Sequence, residues 1–137
     1  MRPLEADVLV IGSGPAGLAA AYQARVSGAK RVTIIERNRE PGGILPQCIH
    51  NGFGLRIFGR DLTGPEYAQR WLYQAQEAGV EIMTRTMVQS ITPDLRITAS
   101  GNGTLVDIKA KALILATGCR ERPRGALGIP GARPAGI

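Results

Sequence analysis

Six residues, Gly12-Ser13-Gly14-Pro15-Ala16-Gly17, constrain this 137-residue chain more than any others, because they sit between two segments of opposite character. Before them, Asp7 leads into Val8-Leu9-Val10-Ile11, a short apolar run with β-branched members. Such a run reads as a strand buried on both faces. After them, Leu18 to Ser27 is rich in Ala and stops at Gly28, which reads as a helix. Arg31 to Glu36 then encloses Val32-Thr33-Ile34-Ile35, a second buried strand. Strand, tight turn, helix and strand within about 30 residues give parallel strands joined by a right-handed crossover.

The spacing of the three glycines gives each a separate task. Gly12 permits the tight turn. Gly14 carries no side chain, so a pyrophosphate can approach the backbone, and Gly17 lets helix and strand pack closely. The helix N-terminus offers unpaired N–H groups and a partial positive charge to phosphates. Glu36 closes the second strand 19 residues after Gly17, near the spacing a ribose-binding acid requires. Its carboxylate can accept from both ribose hydroxyls and repels a 2′-phosphate, which disfavours NADP, although the neighbouring Arg37 leaves some room for one. The plain alternative is a Gly-rich turn that binds nothing. A G-x-G-x-x-G standing alone would be weak grounds, but this one has its strand, helix and acid in place.

The rest of the chain divides into three stretches. Residues 37–62 show neither helical nor strand period and carry Pro41-Gly42-Gly43, Pro46, Gly52, Gly54 and Gly59. A loop this long in a compact domain is functional or disordered. Its apolar members, Ile44, Leu45, Ile49, Phe53, Leu55, Ile57 and Phe58, argue for a loop lying against a ligand or a partner. Thr63-Gly64-Pro65-Glu66 has capping-box spacing with Pro in the first turn, so a helix runs from there to about Ala78, where Gly79 ends it. Tyr67, Trp71, Ala75 and Ala78 share its apolar face. Val80 to Met83 reads as a third strand. Leu95, Ile97 and Ala99 alternate with polar residues, Gly101-Asn102-Gly103 is a turn, and Val106, Ile108 and Ala110 alternate again. These are half-exposed antiparallel strands of a meander at about 86–111. Ala112-Leu113-Ile114-Leu115-Ala116 then re-enters a buried sheet and meets Thr117-Gly118. Residues 119–137 form a Pro/Gly/Arg-rich tail without period.

Composition removes other classes. Apolar residues make 44% and charged residues 20%, which argues against wholesale disorder. No apolar run approaches the roughly 20 residues a membrane span needs. Acids stand where a signal peptide would have its apolar stretch, so the expected location is cytoplasmic. The net charge of +6 comes from 14 Arg and three Lys against 11 acids, with one cluster at Arg120, Arg122 and Arg124. The basic residues are otherwise dispersed and aromatics make only 4%, so nucleic-acid binding is not expected. Cys48 and Cys119 belong to no C-x-x-C or C-x-x-x-x-C, which excludes a local redox disulfide and a Cys-rich zinc site. One His, with no acid cluster near it, leaves no metal site.

NAD and FAD share the adenosine diphosphate half, so the glycine turn alone does not choose between them. The early start of the unit, the long second crossover opening with Pro41-Gly42-Gly43, and a meander followed by an apolar strand and Ala-Thr-Gly favour FAD. At these residues the chain resembles the N-terminal FAD-binding part of the pyridine nucleotide–disulfide oxidoreductase superfamily. The matching segments are Val8 to Gly17, Ile34-Ile35-Glu36-Arg37, Gly42-Gly43 and Ala112 to Gly118. Gly42 to Gly54 and Cys119 to Gly125 are similar to a bacterial subgroup linked to glycerol 3-phosphate metabolism and to the FAD subunits of opine, proline and sarcosine-type dehydrogenases.

The resemblance implies a Rossmann-like α/β fold with an added antiparallel meander, here incomplete, and an FAD-dependent oxidoreductase activity. It implies that Gly12, Ser13, Gly14, Pro15, Ala16 and Gly17 hold the FAD pyrophosphate and that Glu36 binds the adenosine ribose with Arg37 beside the adenine. Gly42 and Gly43 would line the flavin side of the pyrophosphate, the Val88 backbone would pair with adenine, and Ala116, Thr117 and Gly118 would pass beside the cofactor. Relatives insert an NAD(P)-binding domain after Ala-Thr-Gly and return with a Gly-Asp motif. Residues 1–118 are therefore expected to be the FAD-binding portion, with 119–137 leading toward a second domain, and the isolated chain is expected to be inactive or incomplete. A partner subunit or a homo-oligomer is compatible with this, and the substrate is a small molecule of unassigned identity. A non-catalytic dinucleotide-binding module and an NAD-dependent dehydrogenase domain are the alternatives. In the disulfide reductases a cysteine pair follows the Gly-Gly loop, whereas here only Cys48 stands there. Cys48 and His50 are two residues apart, and strand-like geometry would put both on one side as a thiolate–imidazolium pair. Ordinary packing and hydrogen-bonding roles in a loop are the commoner outcome for such residues.

Overall fold

A computed structural model describes residues 3–120, 122, 124–128 and 131. Its strands are β1 (Leu4–Ile11), β2 (Val32–Ile35), β3 (Glu81–Met83), β4 (Thr86–Ile91), β5 (Arg96–Gly101) and β6 (Thr104–Leu115). Its helices are α1 (Pro15–Val26), α2 (Leu55–Phe58), α3 (Gly64–Glu77) and α4 (Arg124–Leu127), with one 3-10 turn at Leu45–Gln47. The strands form one six-stranded sheet in the order β3-β2-β1-β6-β5-β4. β3, β2, β1 and β6 run parallel, while β6, β5 and β4 run antiparallel. This is the expected Rossmann-like sheet with its meander.

β3 and β4 stand at opposite edges of the sheet although only Thr84 and Arg85 separate them. The sheet must therefore curl back on itself. A bond from Thr86 N–H to the Glu36 carbonyl (2.9 Å) ties the start of β4 to the end of β2.

Side-chain alternation along the strands divides the core in two. One cluster holds Val10, Val32 and Ile34 against Leu18 and Ala21 of α1 and Trp71 and Ala75 of α3. The other holds Leu9 and Ile35 with Ile97, Ala99, Ile108 and Ala110. Helices thus cover one face of the parallel strands and the curled meander covers the other.

Several boundaries depart from the sequence reading. β1 begins at Leu4, because Leu4 to Ala6 pair with Ile108 to Ala110 of β6. α1 begins at Pro15, inside the glycine turn. The alternating segment at 106–110 and the apolar run at 112–115 are a single 12-residue strand, β6. Residues 104–109 of β6 pair with β5 and residues 108–115 with β1, so one strand serves both parts of the sheet. Burial of that apolar run is incomplete, since Ala112 is exposed and Leu115 is 64% exposed. The stretch 37–62 is not featureless: it contains the 3-10 turn, α2 and an antiparallel bridge between Phe53 and Leu62. The tail includes the single turn α4; its remaining residues lie largely outside those described, and so does the side chain of Arg124.

α3 forms as its cap predicts. The Thr63 hydroxyl accepts from Glu66 N–H (3.4 Å), and the Glu66 carboxylate accepts from Thr63 N–H (2.8 Å). Bonds from Thr63, the backbone one first, hold the Glu66 carboxyl below its ordinary range.

Candidate functional site

The glycine turn is assembled by backbone bonds from three directions. Gly12 N–H donates to Ile35 of β2 (2.9 Å), Ala116 N–H to Ile11 of β1 (2.9 Å), and Gly42 N–H to Ser13 (2.9 Å). Gly12, Ser13, Gly14, Gly17, Gly42, Gly43 and Ala116 therefore meet at the C-terminal ends of the parallel strands. That is where open α/β sheets build their binding crevices.

The three fingerprint glycines are not equivalent. Gly12 has φ +103°, and a Cβ there would overlap the Ala116 carbonyl oxygen. A Cβ on Gly17 would overlap the Gly12 carbonyl oxygen. Packing within the chain thus demands glycine at both positions. Gly14 has φ −67°, open to any L-residue, and a Cβ there would meet only Gly43 Cα at 3.9 Å. Across from it, Gly43 has φ +63°, and a Cβ on Gly43 would come within 2.9 Å of Gly14 Cα. The two loops touch through glycines and leave backbone uncovered over Gly14.

Gly14 is the N-cap of α1 and supplies no side-chain cap. Pro15 fills the first turn, and no acid stands there. Leu18 N–H returns to the Gly14 carbonyl (2.9 Å), while no bond within the described residues is made by Ala16 or Gly17 N–H. The N-terminal end of a 12-residue helix, with no acid in its own first turn, is therefore presented beside Gly14.

Glu36 is 5% exposed and its carboxylate is held at both oxygens. Oε2 accepts from Ser13 N–H (3.1 Å) and from the Ser13 hydroxyl (2.5 Å), and Oε1 accepts from Asn38 N–H (2.7 Å). Arg37 follows with an exposed side chain. Val88 is half-buried on β4, two residues after the Thr86–Glu36 bond, and the ladder shifts register between it and Ser90. Thr117 and Gly118 are exposed just beyond β6.

Cys48 and His50 are not brought together. The Cys48 thiol lies at the end of the 3-10 turn, 3.6 Å from the Ile44 carbonyl. His50 Nδ1 instead contacts the Asn51 carbonyl (2.8 Å), and its ring packs on Phe53. The turn replaces the strand-like spacing that would have aligned them. Cys48 and Cys119 are both free thiols. Among the described residues no group of three or more His, Cys, Asp or Glu side chains could hold a metal, and no helix is long and apolar enough to cross a membrane.

The stretch 37–62 divides between the chain's own core and solvent. Leu45 and Leu62 are buried, Phe53 stacks on Tyr67 of α3, and Phe58 packs edge-on against Tyr67 and at a tilt against Trp71. Ile44, Ile49, Leu55 and Ile57 are exposed. Two contributions are not legible in the sequence: the Ser13 hydroxyl as a partner of Glu36, and Asn38 N–H as a clamp on the same carboxylate. No motif flags either one, because both depend on how the loop after β2 turns.

The sequence profile of the pyridine nucleotide-disulphide oxidoreductase family matches residues 6–137. The chain belongs to that family. An opine oxidase component from Agrobacterium tumefaciens is 35% identical over 148 residues, covering 95% of this chain and 27% of that protein. Thioredoxin reductase from Peptoclostridium acidaminophilum is 36% identical over 124 residues, covering 89% of this chain and 37% of that protein. Among solved structures, thioredoxin reductase from Streptococcus pyogenes superposes with a TM-score of 0.70 at 31% identity, covering 95% of this chain and 40% of that one. This chain thus spans about a quarter to two-fifths of the length of these relatives. The near-equal identities to an opine oxidase and to a thioredoxin reductase establish the family without selecting a subgroup.

Proposed function

We propose that this chain is the FAD-binding portion of an FAD-dependent oxidoreductase. The observation that carries the reading is the uncovered backbone at Gly14, the N-cap of a helix whose free first-turn N–H groups stand one residue from Ser13, which binds the buried carboxylate of Glu36. These residues fit an adenosine diphosphate group: phosphate at the helix end, ribose at the acid. Gly12 to Gly17 would hold the pyrophosphate, with N–H groups of Ala16 and Gly17 donating. Glu36 would accept from the ribose, and Arg37 and the Val88 backbone would flank the adenine. Gly42, Gly43, Ala116, Thr117 and Gly118 would line the way toward the flavin. Bound FAD would supply hydride chemistry between a small organic donor, or a nicotinamide held in a domain beyond these residues, and an acceptor. The chain's own residues bind and orient it and exclude water from the pyrophosphate.

A small amino or hydroxylated donor suits the chain better than a disulfide. Its cysteines, Cys48 and Cys119, are free and far apart in sequence, so no redox pair stands by the Gly-Gly loop. The likeness to a protein named as one of the subunits of an opine oxidase bears on the presence of a partner chain; it does not select the donor class, since a thioredoxin reductase is as similar. The test is an absorbance titration of the purified chain with FAD beside an equilibrium titration with NAD. Saturable perturbation of the flavin bands is expected. Saturable NAD binding without flavin binding would overturn the assignment in favour of a nicotinamide-dependent dehydrogenase domain.

A further inference from the structure

The Glu36 carboxylate has about four acceptor positions, two on each oxygen. Three are filled from within the chain, by Ser13 N–H and the Ser13 hydroxyl on Oε2 and by Asn38 N–H on Oε1. A ribose diol brings two donors to one remaining position. One internal donor must give way. The two N–H groups are fixed by the backbone, and only the hydroxyl can rotate about its own bond. Ser13 is 0% exposed, and its hydroxyl makes no other hydrogen bond among the described residues. A displaced Ser13 hydroxyl therefore has no water to turn to, and leaving a buried donor unpaired is costly.

We infer that the Ser13 hydroxyl is an internal competitor for the ribose at Glu36, setting how tightly this chain holds an adenosine diol. The inference rests on the reading of Glu36 as the ribose carboxylate. It makes Ser13 a positioning residue with a specific signature. A ligand with both ribose hydroxyls must displace Ser13, whereas a ligand with one can use the remaining position on Oε1 and leave Ser13 in place.

The experiment is calorimetric titration of the full chain and of Ser13→Ala with ADP, 2′-deoxy-ADP and 3′-deoxy-ADP. Ser13→Ala is expected to bind ADP about 10- to 150-fold more tightly than the unmodified chain, the range set by one hydrogen bond to a charged group. The two deoxy probes are expected to bind both proteins within about twofold, because a single hydroxyl does not compete. A general loosening of the glycine turn would move all three probes together, and that result would overturn the inference. So would unchanged or weaker ADP binding by Ser13→Ala while Glu36→Ala still weakens it, and in that case the ribose role of Glu36 survives. ADP binding to neither protein, with both folded by circular dichroism, would overturn the Glu36 reading as well. If Ser13→Ala does not fold, Ser13→Gly removes the same hydroxyl with less intrusion and carries the same expectations.

Discussion

Replacing Gly17 and Gly14 in turn by Ala should separate folding from binding. A methyl group on Gly17 drives into the Gly12 carbonyl oxygen and comes within 3.3 Å of the Ala116 Cβ. The obstructing atom is backbone, and Gly12 is itself pinned to Ile35 by its N–H, so it cannot yield as a flexible side chain would. Overpacking costs about 1–3 kcal/mol, and more where backbone must move. The better helix propensity of Ala returns only about 1 kcal/mol. With the obstructing atom in the backbone the cost lies at the top of that range, so a net loss of about 2 kcal/mol is expected for Gly17→Ala, which for a chain of this size lowers Tm by roughly 8 °C. Gly14→Ala meets nothing closer than 3.9 Å and needs no unusual φ. Its stability should change by about 1 kcal/mol at most, from the poorer N-cap. Its methyl group instead enters the space assigned to the pyrophosphate. A steric cost of about 1–3 kcal/mol there weakens FAD binding roughly 5- to 150-fold. Thermal melts followed by circular dichroism and FAD titrations on both variants supply the four numbers. Gly14→Ala binding FAD as the unmodified chain does, or Gly17→Ala melting with it, would refute the division of labour among the glycines.

Three further changes probe other levels. Glu36→Ala removes a charged acceptor and should weaken FAD binding by about 1.5–3 kcal/mol, read as the shift in Kd; an unchanged Kd would remove the ribose assignment. Thr63→Ala takes away the α3 cap and should cost about 1 kcal/mol in a urea melt with FAD affinity unaltered. Asp7 is one of the groups that give stability a pH dependence: the Lys111 ammonium at 2.8 Å, then the Arg31 backbone N–H, hold its carboxyl well below the ordinary 3.8. Because its folded value is depressed, its stabilisation is present above 3.8 and is lost as pH falls through the folded value. The Tm gap between the unmodified chain and Asp7→Asn should be largest near neutral pH and shrink in acid, and a gap constant with pH would contradict the ion-pair account.

What is legible in the sequence is local or periodic. The turn from Gly12 to Gly17, the apolar runs at 8–11 and 32–35, and the capping box at Thr63 each announce an element within a few residues. Two departures have opposite physical origins. β6 reads as an alternating piece and an apolar piece because its neighbours change along its length, from β5 on one side to β1 on the other. Periodicity reports the environment of a segment, and a strand crossing two environments looks like two strands. The stretch 37–62 is illegible for the opposite reason. Its order comes from tertiary contacts, Phe53 and Phe58 against Tyr67 and Trp71, which no local pattern encodes.

The candidate site follows the same division. Its glycines and its acid can be named from spacing, because the βαβ unit pairs β1 directly with β2 and so fixes their relative positions over the short span from Gly12 to Glu36. Gly42 and Gly43 also carry a backbone signal, with φ of +121° and +63°. The link between the two loops is a single bond from Gly42 N–H to the Ser13 carbonyl, together with the contact between Gly14 and Gly43. Ser13 thus faces both ways: its carbonyl holds the Gly-Gly loop, and its N–H and hydroxyl hold Glu36. Ser13, expected from the sequence among the residues of the pyrophosphate turn, fixes the relative placement of the glycine turn, Glu36 and the Gly42-Gly43 loop. Its backbone does this in any sequence, so what Ser adds over Gly or Ala at this position is the hydroxyl alone, and its removal should be felt with opposite signs: as a loss of stability through the missing bond to Glu36 and as a gain in ribose affinity.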